Sequence, residues 1–173
     1  MEQQIFHHTY ENGITLVAQP MPWLESAAFS IAVPAGCQYD ALPQRGIANF
    51  VCEMVQRGCG ELNSREFIEA LESLGVDYSS SASLYNTNFG GAMQAAQLHD
   101  ALRVYADVLQ RPSFPQDQLE DGRLVCFQEI AALKDDLAQR ALQKLRTNFY
   151  GAIDGRNLGL LLEESVGKGC TYT

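Results

Sequence analysis

Apolar positions along the chain switch between a spacing of two and a spacing near 3.6, and the switches mark out strands and helices. Ile5 to Tyr10 and Ile14 to Ala18 read as two strands around Glu11-Asn12-Gly13, where Asn-Gly supplies the positive φ angles of a tight hairpin. Pro20 and Pro22 end the pair. Ala27 to Val33 reads as a buried strand closed by Pro34-Ala35-Gly36, followed by a loop from Cys37 to Arg45. From Gly46 to Met54 the spacing is helical. Ile47, Phe50, Val51, Met54 and Val55 share one face, and Asn49, Cys52, Glu53 and Gln56 share the other. Gly58 and Gly60 terminate this helix.

Asn63 with Glu66 three residues later predicts a capping-box start for a helix from Ser64 to Leu74, with Phe67, Leu71 and Leu74 as its apolar stripe and Gly75 as its end. Val76 to Leu84 and Thr87 to Ala96 read as two strands joined around Tyr85-Asn86. Leu98 to Leu109 is helical, with Leu102, Tyr105 and Leu109 on one side, and stops at Arg111-Pro112. Pro115 suits a first helical position, and the helical pattern runs from there to Tyr150, with a break near Lys134-Asp135-Asp136. Its apolar positions are Leu119, Leu124, Val125, Ile130, Leu133, Leu137, Leu142 and Leu145. After Gly151 the pattern is irregular. This order predicts an α+β fold: an antiparallel sheet with helices packed on one face.

At 173 residues with no low-complexity linker or internal repeat, one domain spanning 1–173 is the expectation. An apolar fraction of 46% against 19% charged describes a globular chain that can fill a core. Twelve basic against 21 acidic residues leave a net charge of −9, which argues against nucleic acid or an anionic membrane as a partner. Neither a bilayer-spanning apolar run nor a signal peptide is visible, since the chain opens on Met1-Glu2-Gln3-Gln4. The cysteines Cys37, Cys52, Cys59, Cys126 and Cys170 are odd in number and form no CxxC pair. A reducing, cytoplasmic setting is the expectation.

Candidate chemistry is sparse. His7 and His8 are adjacent in a strand and point to opposite faces, and His99 sits in the first turn of a helix as an exposed residue. Acidic groups gather between Asp117 and Asp136, as on a solvated helix face. Asn49 and Glu53, one helical turn apart, have the spacing at which a helix offers two groups to a metal. An amide and one carboxylate are nevertheless poor zinc ligands. By spacing alone this face is a solvated one.

Gly46-Ile47-Ala48-Asn49-Phe50-Val51-Cys52-Glu53-Met54 followed by Arg57-Gly58 resembles the inverted zinc motif, in outline Gly-x-Ala-His-Phe-x-Glu-His-Met, of the pitrilysin/insulinase family of zinc metallopeptidases, which includes mitochondrial processing peptidases. The Asn12-Gly13 hairpin, the Ala35-Gly36 turn, Glu69 to Gly75, Ala106 to Leu109 and Leu162-Glu163-Glu164-Ser165 look like further landmarks of that family, so the resemblance runs from about Ile5 to about Val166. Family chemistry needs two histidines and a distant glutamate on zinc, with a second glutamate to activate the bound water. The resemblance places Asn49 at the first histidine, Cys52 at the general base, Glu53 at the second histidine and Glu129, in Val125 to Ile130, at the third ligand. A further family glutamate maps to Gly122.

The resemblance therefore implies a catalytically inactive homologue acting as a peptide-binding or partner subunit, with no metal or other cofactor expected here and zinc in active relatives. The partner would be an unfolded peptide, held by strand addition at a sheet edge, or an active homologous subunit. Rival readings are a metal-dependent endopeptidase with a degenerate site and a purely structural scaffold. Asn49, Glu53 and Glu129 together would suit Mg²⁺ or Ca²⁺ better than zinc, and Cys52 as a nucleophile lacks a general base. The family domain is a half-shell that continues past Ser165 with another helix and strand, so an incomplete N-terminal peptidase-like domain that self-associates is expected.

Overall fold

The computed structural model describes residues 4–41, 44 and 46–150, apart from the side chains at 134, 143, 146, 147 and 150. The chain opens with a hairpin of β1 (Phe6–Thr9) and β2 (Thr15–Ala18), exposed along both strands. Its turn differs from the expected one. Gly13 alone takes a positive φ, +87°, while the Asn12 side chain accepts a bond from the Ile14 N–H at 3.1 Å. Asn12 caps the turn through its side chain, so its own backbone stays in the ordinary region.

The main sheet contains β3 (Ser26–Val33), β6 (Asp77–Ala82) and β7 (Thr87–Gln94), antiparallel in the order β3-β7-β6. Register puts Ile31 opposite Phe89 and Phe89 opposite Ser80, so Phe29, Ile31, Phe89, Met93, Tyr78 and Ser80 share one face. Helices cover that face. The other face carries Ala28, Ser30, Ala32, Ser79, Ser81, Asn88, Gly90 and Ala92, and is small and largely uncharged. A Cβ at Gly91 would lie 2.8 Å from the Phe29 ring, so glycine lets that ring settle edge-on to Tyr105 at 4.9 Å.

α2 (Ser64–Ser73) starts at the expected capping box. Asn63 Oδ1 accepts from the Arg65 and Glu66 N–H groups, and Glu66 Oε2 accepts from the Asn63 N–H. Gly75, at φ +63°, ends it. Its Phe67 and Leu71 join Val76, Phe89, Met93 and Tyr105 in the main core. The short strands β4 (Gly58–Cys59) and β5 (Leu62–Asn63), which lead into α2, carry no pattern of their own. They are held by backbone pairing and by Cys59, which is fully buried in the main core with Leu62 packed against it.

In α3 (Leu98–Gln110) the buried line is Ala101, Tyr105 and Val108; Leu109, expected inside, is exposed. The face chosen is the one that brings Tyr105 onto the sheet. The last helical stretch divides as expected, into α4 (Leu119–Asp135) and α5 (Leu137–Tyr150), because the Asp136 carboxylate accepts from the Ala138 and Gln139 N–H groups and starts a new helix. Pro115 lies outside the helix, before a 3-10 turn at Gln116–Gln118. α4 buries Gly122, Cys126 and Ile130, four residues apart, whereas Leu124, Leu137, Leu142 and Leu145 are exposed. Among the described residues no helix is long and apolar enough to cross a membrane. The α+β arrangement matches expectation; the landmark at Leu162 to Ser165 and Cys170 lie outside the described residues.

Candidate functional site

The helix with the altered motif is α1 (Ile47–Met54), and its start is fixed from outside the helix. Gly46, in the left-handed region at φ +91°, is its N-cap and has no side chain to offer. Asp40 substitutes: Oδ2 accepts from the Gly46 N–H at 2.8 Å and Oδ1 from the Ala48 N–H at 3.2 Å. Burial nevertheless pushes the Asp40 carboxyl above its ordinary value, outweighing these donors.

Two neighbours clamp the sides. Phe50 and Met54 pack with Cys126 of α4. A Cβ at Gly122 would lie 2.5 Å from Met54 Sδ, so the space that a side chain at 122 would need is filled by the methionine. Toward the sheet, Gln56 Nε2 donates to the Cys52 carbonyl at 3.1 Å and to Ser80 Oγ of β6. The helix is thus wedged between α4 and β6. Val51, expected in the core, is the residue left facing out at 40% exposure, while Cys52, from the polar face, is buried at 3%.

Of the four sequence-predicted positions, Asn49 and Glu129 pair with each other, Glu53 pairs elsewhere and Cys52 is buried. Asn49 Nδ2 donates to Glu129 Oε2 at 3.2 Å and lies 3.9 Å from Cys126 Sγ. Because a carboxylate only accepts, the amide turns its nitrogen to Glu129 and its oxygen away from it. Glu53 instead pairs with Arg57, just past the end of α1, at 2.8 Å, with both side chains half-buried. Burial pushes the Cys52 thiol up; a hydrogen bond from Ser80 opposes this, and the Glu53 and Glu129 carboxylates add to it. A thiol so placed is a poor nucleophile.

The residues do not fit zinc. Neither histidine of the motif is present, and His7, His8 and His99 lie on β1 and α3. Nor do Asn49, Glu53 and Glu129 converge on a hard cation, since one carboxylate is held by a guanidinium and the other by an amide nitrogen. Among the described residues no three His, Cys, Asp or Glu side chains come together as a metal group.

Three contributors escaped the sequence reading. Arg57 had a signal, since it lies four residues after Glu53. Asp40 and Ser80 had none, because the chain path alone brings them to α1. Beside Glu53, a concavity of about 420 Å³ opens between the end of α1, α2, the start of β6 and the turn at Gln116–Gln118.

Comparison with known proteins gives this geometry a lineage. Residues 16–158 match the family described as insulinase, peptidase family M16. An uncharacterized zinc protease of Rickettsia bellii is 24% identical over 83% of this chain and 34% of its own length. A probable mitochondrial-processing peptidase subunit beta of Arabidopsis thaliana is 21% identical over 82% of this chain and 27% of its own. The chain spans about a third of the length of the curated relatives it matches first. Among solved structures, pitrilysin superposes at a TM-score of 0.82 over 96% of this chain and 18% of its own, with 20% identity. A peptidase M16 inactive domain from Pseudomonas fluorescens superposes at 0.79 over 90% of this chain and 38% of its own, with 18% identity. With the family model covering most of its residues, this chain belongs to the insulinase family, peptidase family M16.

Proposed function

We propose that this chain is a catalytically silent member of the family, serving as a peptide-binding or partner subunit. The observation that carries the reading is the state of the motif helix: Asn49, Cys52 and Glu53 stand at the three catalytic positions and are bonded to Glu129, buried, and bonded to Arg57, respectively. Water activation on a metal needs a preorganised ligand set with an open position, and these residues supply no such set. That one structural neighbour is described as an inactive domain, and that other relatives are described as subunits, is consistent with the reading.

Peptide binding draws on a different feature, the edge strand β6. Among the described residues it pairs only with β7, and it lies against α1 through Ser80 and Gln56. An extended peptide can add to such an edge by backbone bonds, which require no catalytic side chain. The small, largely uncharged outer face of the sheet would then form a wall with few adhesive groups.

The test uses the full-length protein purified from its own host. Expected are no stoichiometric zinc, no cleavage of quenched peptides, and co-purification of a homologous chain with an intact His-x-x-Glu-His helix. Stoichiometric zinc that is lost on Glu129→Ala, together with zinc-dependent cleavage, would overturn the proposal in favour of a degenerate but working peptidase.

A further inference from the structure

We infer that the first hairpin and α5 are the two halves of one interface: α5 of one copy of this chain lies across the hairpin of a second copy, and the reverse contact closes a dimer. The motif helix and the edge of β6 take no part, so the inference stands apart from the peptide-binding reading.

Each element needs cover that the described residues do not give it. A two-stranded hairpin is marginal alone in water, and so is a helix as short as α5. β1 and β2 form a sheet of their own and are exposed along both strands. Every described side chain of α5 is exposed as well.

Both elements nevertheless have an apolar face. Helical spacing gathers Leu137, Ala141, Leu142 and Leu145 on one side of α5, with Leu137 76% and Leu145 63% exposed. In the hairpin, Phe6 lies opposite Ala18 and His8 opposite Leu16, and the Tyr10 N–H extends the pairing by donating to the Ile14 carbonyl at 2.8 Å. Phe6, His8, Tyr10, Ile14 and Leu16 therefore share one face, on which the His8 and Tyr10 rings meet edge-on at 4.6 Å. His7, Thr9, Thr15 and Val17 make the opposite, more polar face.

Length and charge choose the mate. The 14 residues of α5 extend ~21 Å, and the hairpin face from Phe6 to Tyr10 extends ~17 Å. α5 carries Arg140, Lys144 and Arg146 and no carboxylate, whereas the sequence holds no lysine or arginine before Arg45, and Glu11 and Glu25 lie at the hairpin turn and beyond β2. Two α5 helices would repel each other, while a hairpin offers the opposite sign. The net charge of −9 disfavours the other surface open to a basic amphipathic helix, an anionic membrane.

Area decides that the contact is made twice. Half the surface of a helix of this length is on the order of 300 Å². One helix on one hairpin then buries ~600 Å² over both partners, the size of a lattice contact. Two reciprocal contacts bury ~1,200 Å², which reaches the range of specific interfaces. A two-fold pair makes both at once.

Sedimentation velocity of the full chain over a concentration series is expected to show a monomer–dimer equilibrium. Leu16→Lys and Leu145→Lys should each raise the dissociation constant at least about tenfold, whereas Val17→Lys, on the other hairpin face, should change it less than about twofold. An equimolar mixture of the Leu16→Lys and Leu145→Lys chains should dimerise more strongly than either alone, because the mixed pair regains one contact in which both faces are intact. Misfolding cannot produce that gain. A photo-cross-linking side chain at position 16, with one copy isotopically labelled, should join to residues 137–150 of the other copy. A monomer at every concentration, growth into ever larger species, or a mixture no stronger than its components overturns the reciprocal dimer. Cross-links from hairpin to hairpin, or confined to a single copy, overturn it as well.

Discussion

Asp40→Ala removes the device that starts α1. The wild-type carboxylate accepts the Gly46 and Ala48 N–H groups, and no side chain within the helix replaces it. Loss of a helix cap costs ~1–2 kcal/mol, and half-buried N–H groups left without partners raise this toward ~3 kcal/mol. Against that stands the desolvation of the carboxylate, visible in its raised pKa. The net expectation is about 2 kcal/mol. Asp40→Asn keeps one acceptor oxygen and removes the buried charge, so it should cost less than about 1 kcal/mol. A folded-state pKa above the unfolded one means stability that is present at acid pH and lost as pH rises through the folded value. The penalty of Asp40→Ala should therefore shrink from acid to neutral pH. Urea titration by circular dichroism measures each cost as a shift in midpoint at constant slope, and amide exchange at Ile47 to Phe50 locates it. An alanine variant within about 0.5 kcal/mol of wild type, or an asparagine variant as costly as alanine, would refute the external-cap account.

Other consequences follow from packing. Burial pushes the Cys37 thiol up to about 11 from 9.0, with 6% of the residue exposed. A disulfide reagent at pH 8 should leave it unlabelled until the chain unfolds, and stability should fall by about 2–3 kcal/mol between pH 9 and 11, a loss that Cys37→Ala reduces in pH-dependent melts. Gly122→Ala should cost ~1–3 kcal/mol because Met54 must move from a packed position; denaturant titration of this variant alone and combined with Met54→Ala checks whether the clash is the cause. The hairpin exposes Ile5, Phe6, Ile14, Leu16 and Val17, so the 173-residue chain expressed alone should self-associate. Concentration-dependent light scattering should show this, and Leu16→Lys with Val17→Lys should suppress it.

Elements with local signals were legible in the sequence. The Asn63 capping box, the Gly75 stop and the break at Asp136 each act within a few residues, so spacing alone located them. Burial was less legible. Val51 and Cys52 exchanged their expected environments because α1 is covered on two sides, by α4 and by β6, rather than on one. No periodicity reports how many neighbours a helix will have. The site positions Asn49, Cys52, Glu53 and Glu129 were found through the family motif, not through their own chemistry. Their bonding partners then came from the chain path: Glu129 reaches Asn49 from 80 residues away, whereas Arg57 lay within the reach of spacing rules.

The separation of Asn49–Glu129 from Glu53–Arg57 is itself measurable. If Asn49, Cys52, Glu53 and Glu129 formed one site, for instance around a cation shared by Glu53 and Glu129, removing either carboxylate would cancel the effect of removing the other. If they are two independent links, the costs should add. Each link joins partly exposed groups and should be worth ~1 kcal/mol or less. A double-mutant cycle on Glu53→Gln and Glu129→Gln should therefore give a coupling energy within about 0.5 kcal/mol of zero. Adding Mg²⁺, Ca²⁺ or Zn²⁺ should leave the result unchanged. A coupling above about 1 kcal/mol that depends on one of these ions would mean that Glu53 leaves Arg57 and joins Glu129 on a metal, and the account of a dismantled site would fail. Near-zero coupling would mean that the two contacts act as local ties, one fixing α1 to α4 and the other tying the end of α1 to the segment that follows it.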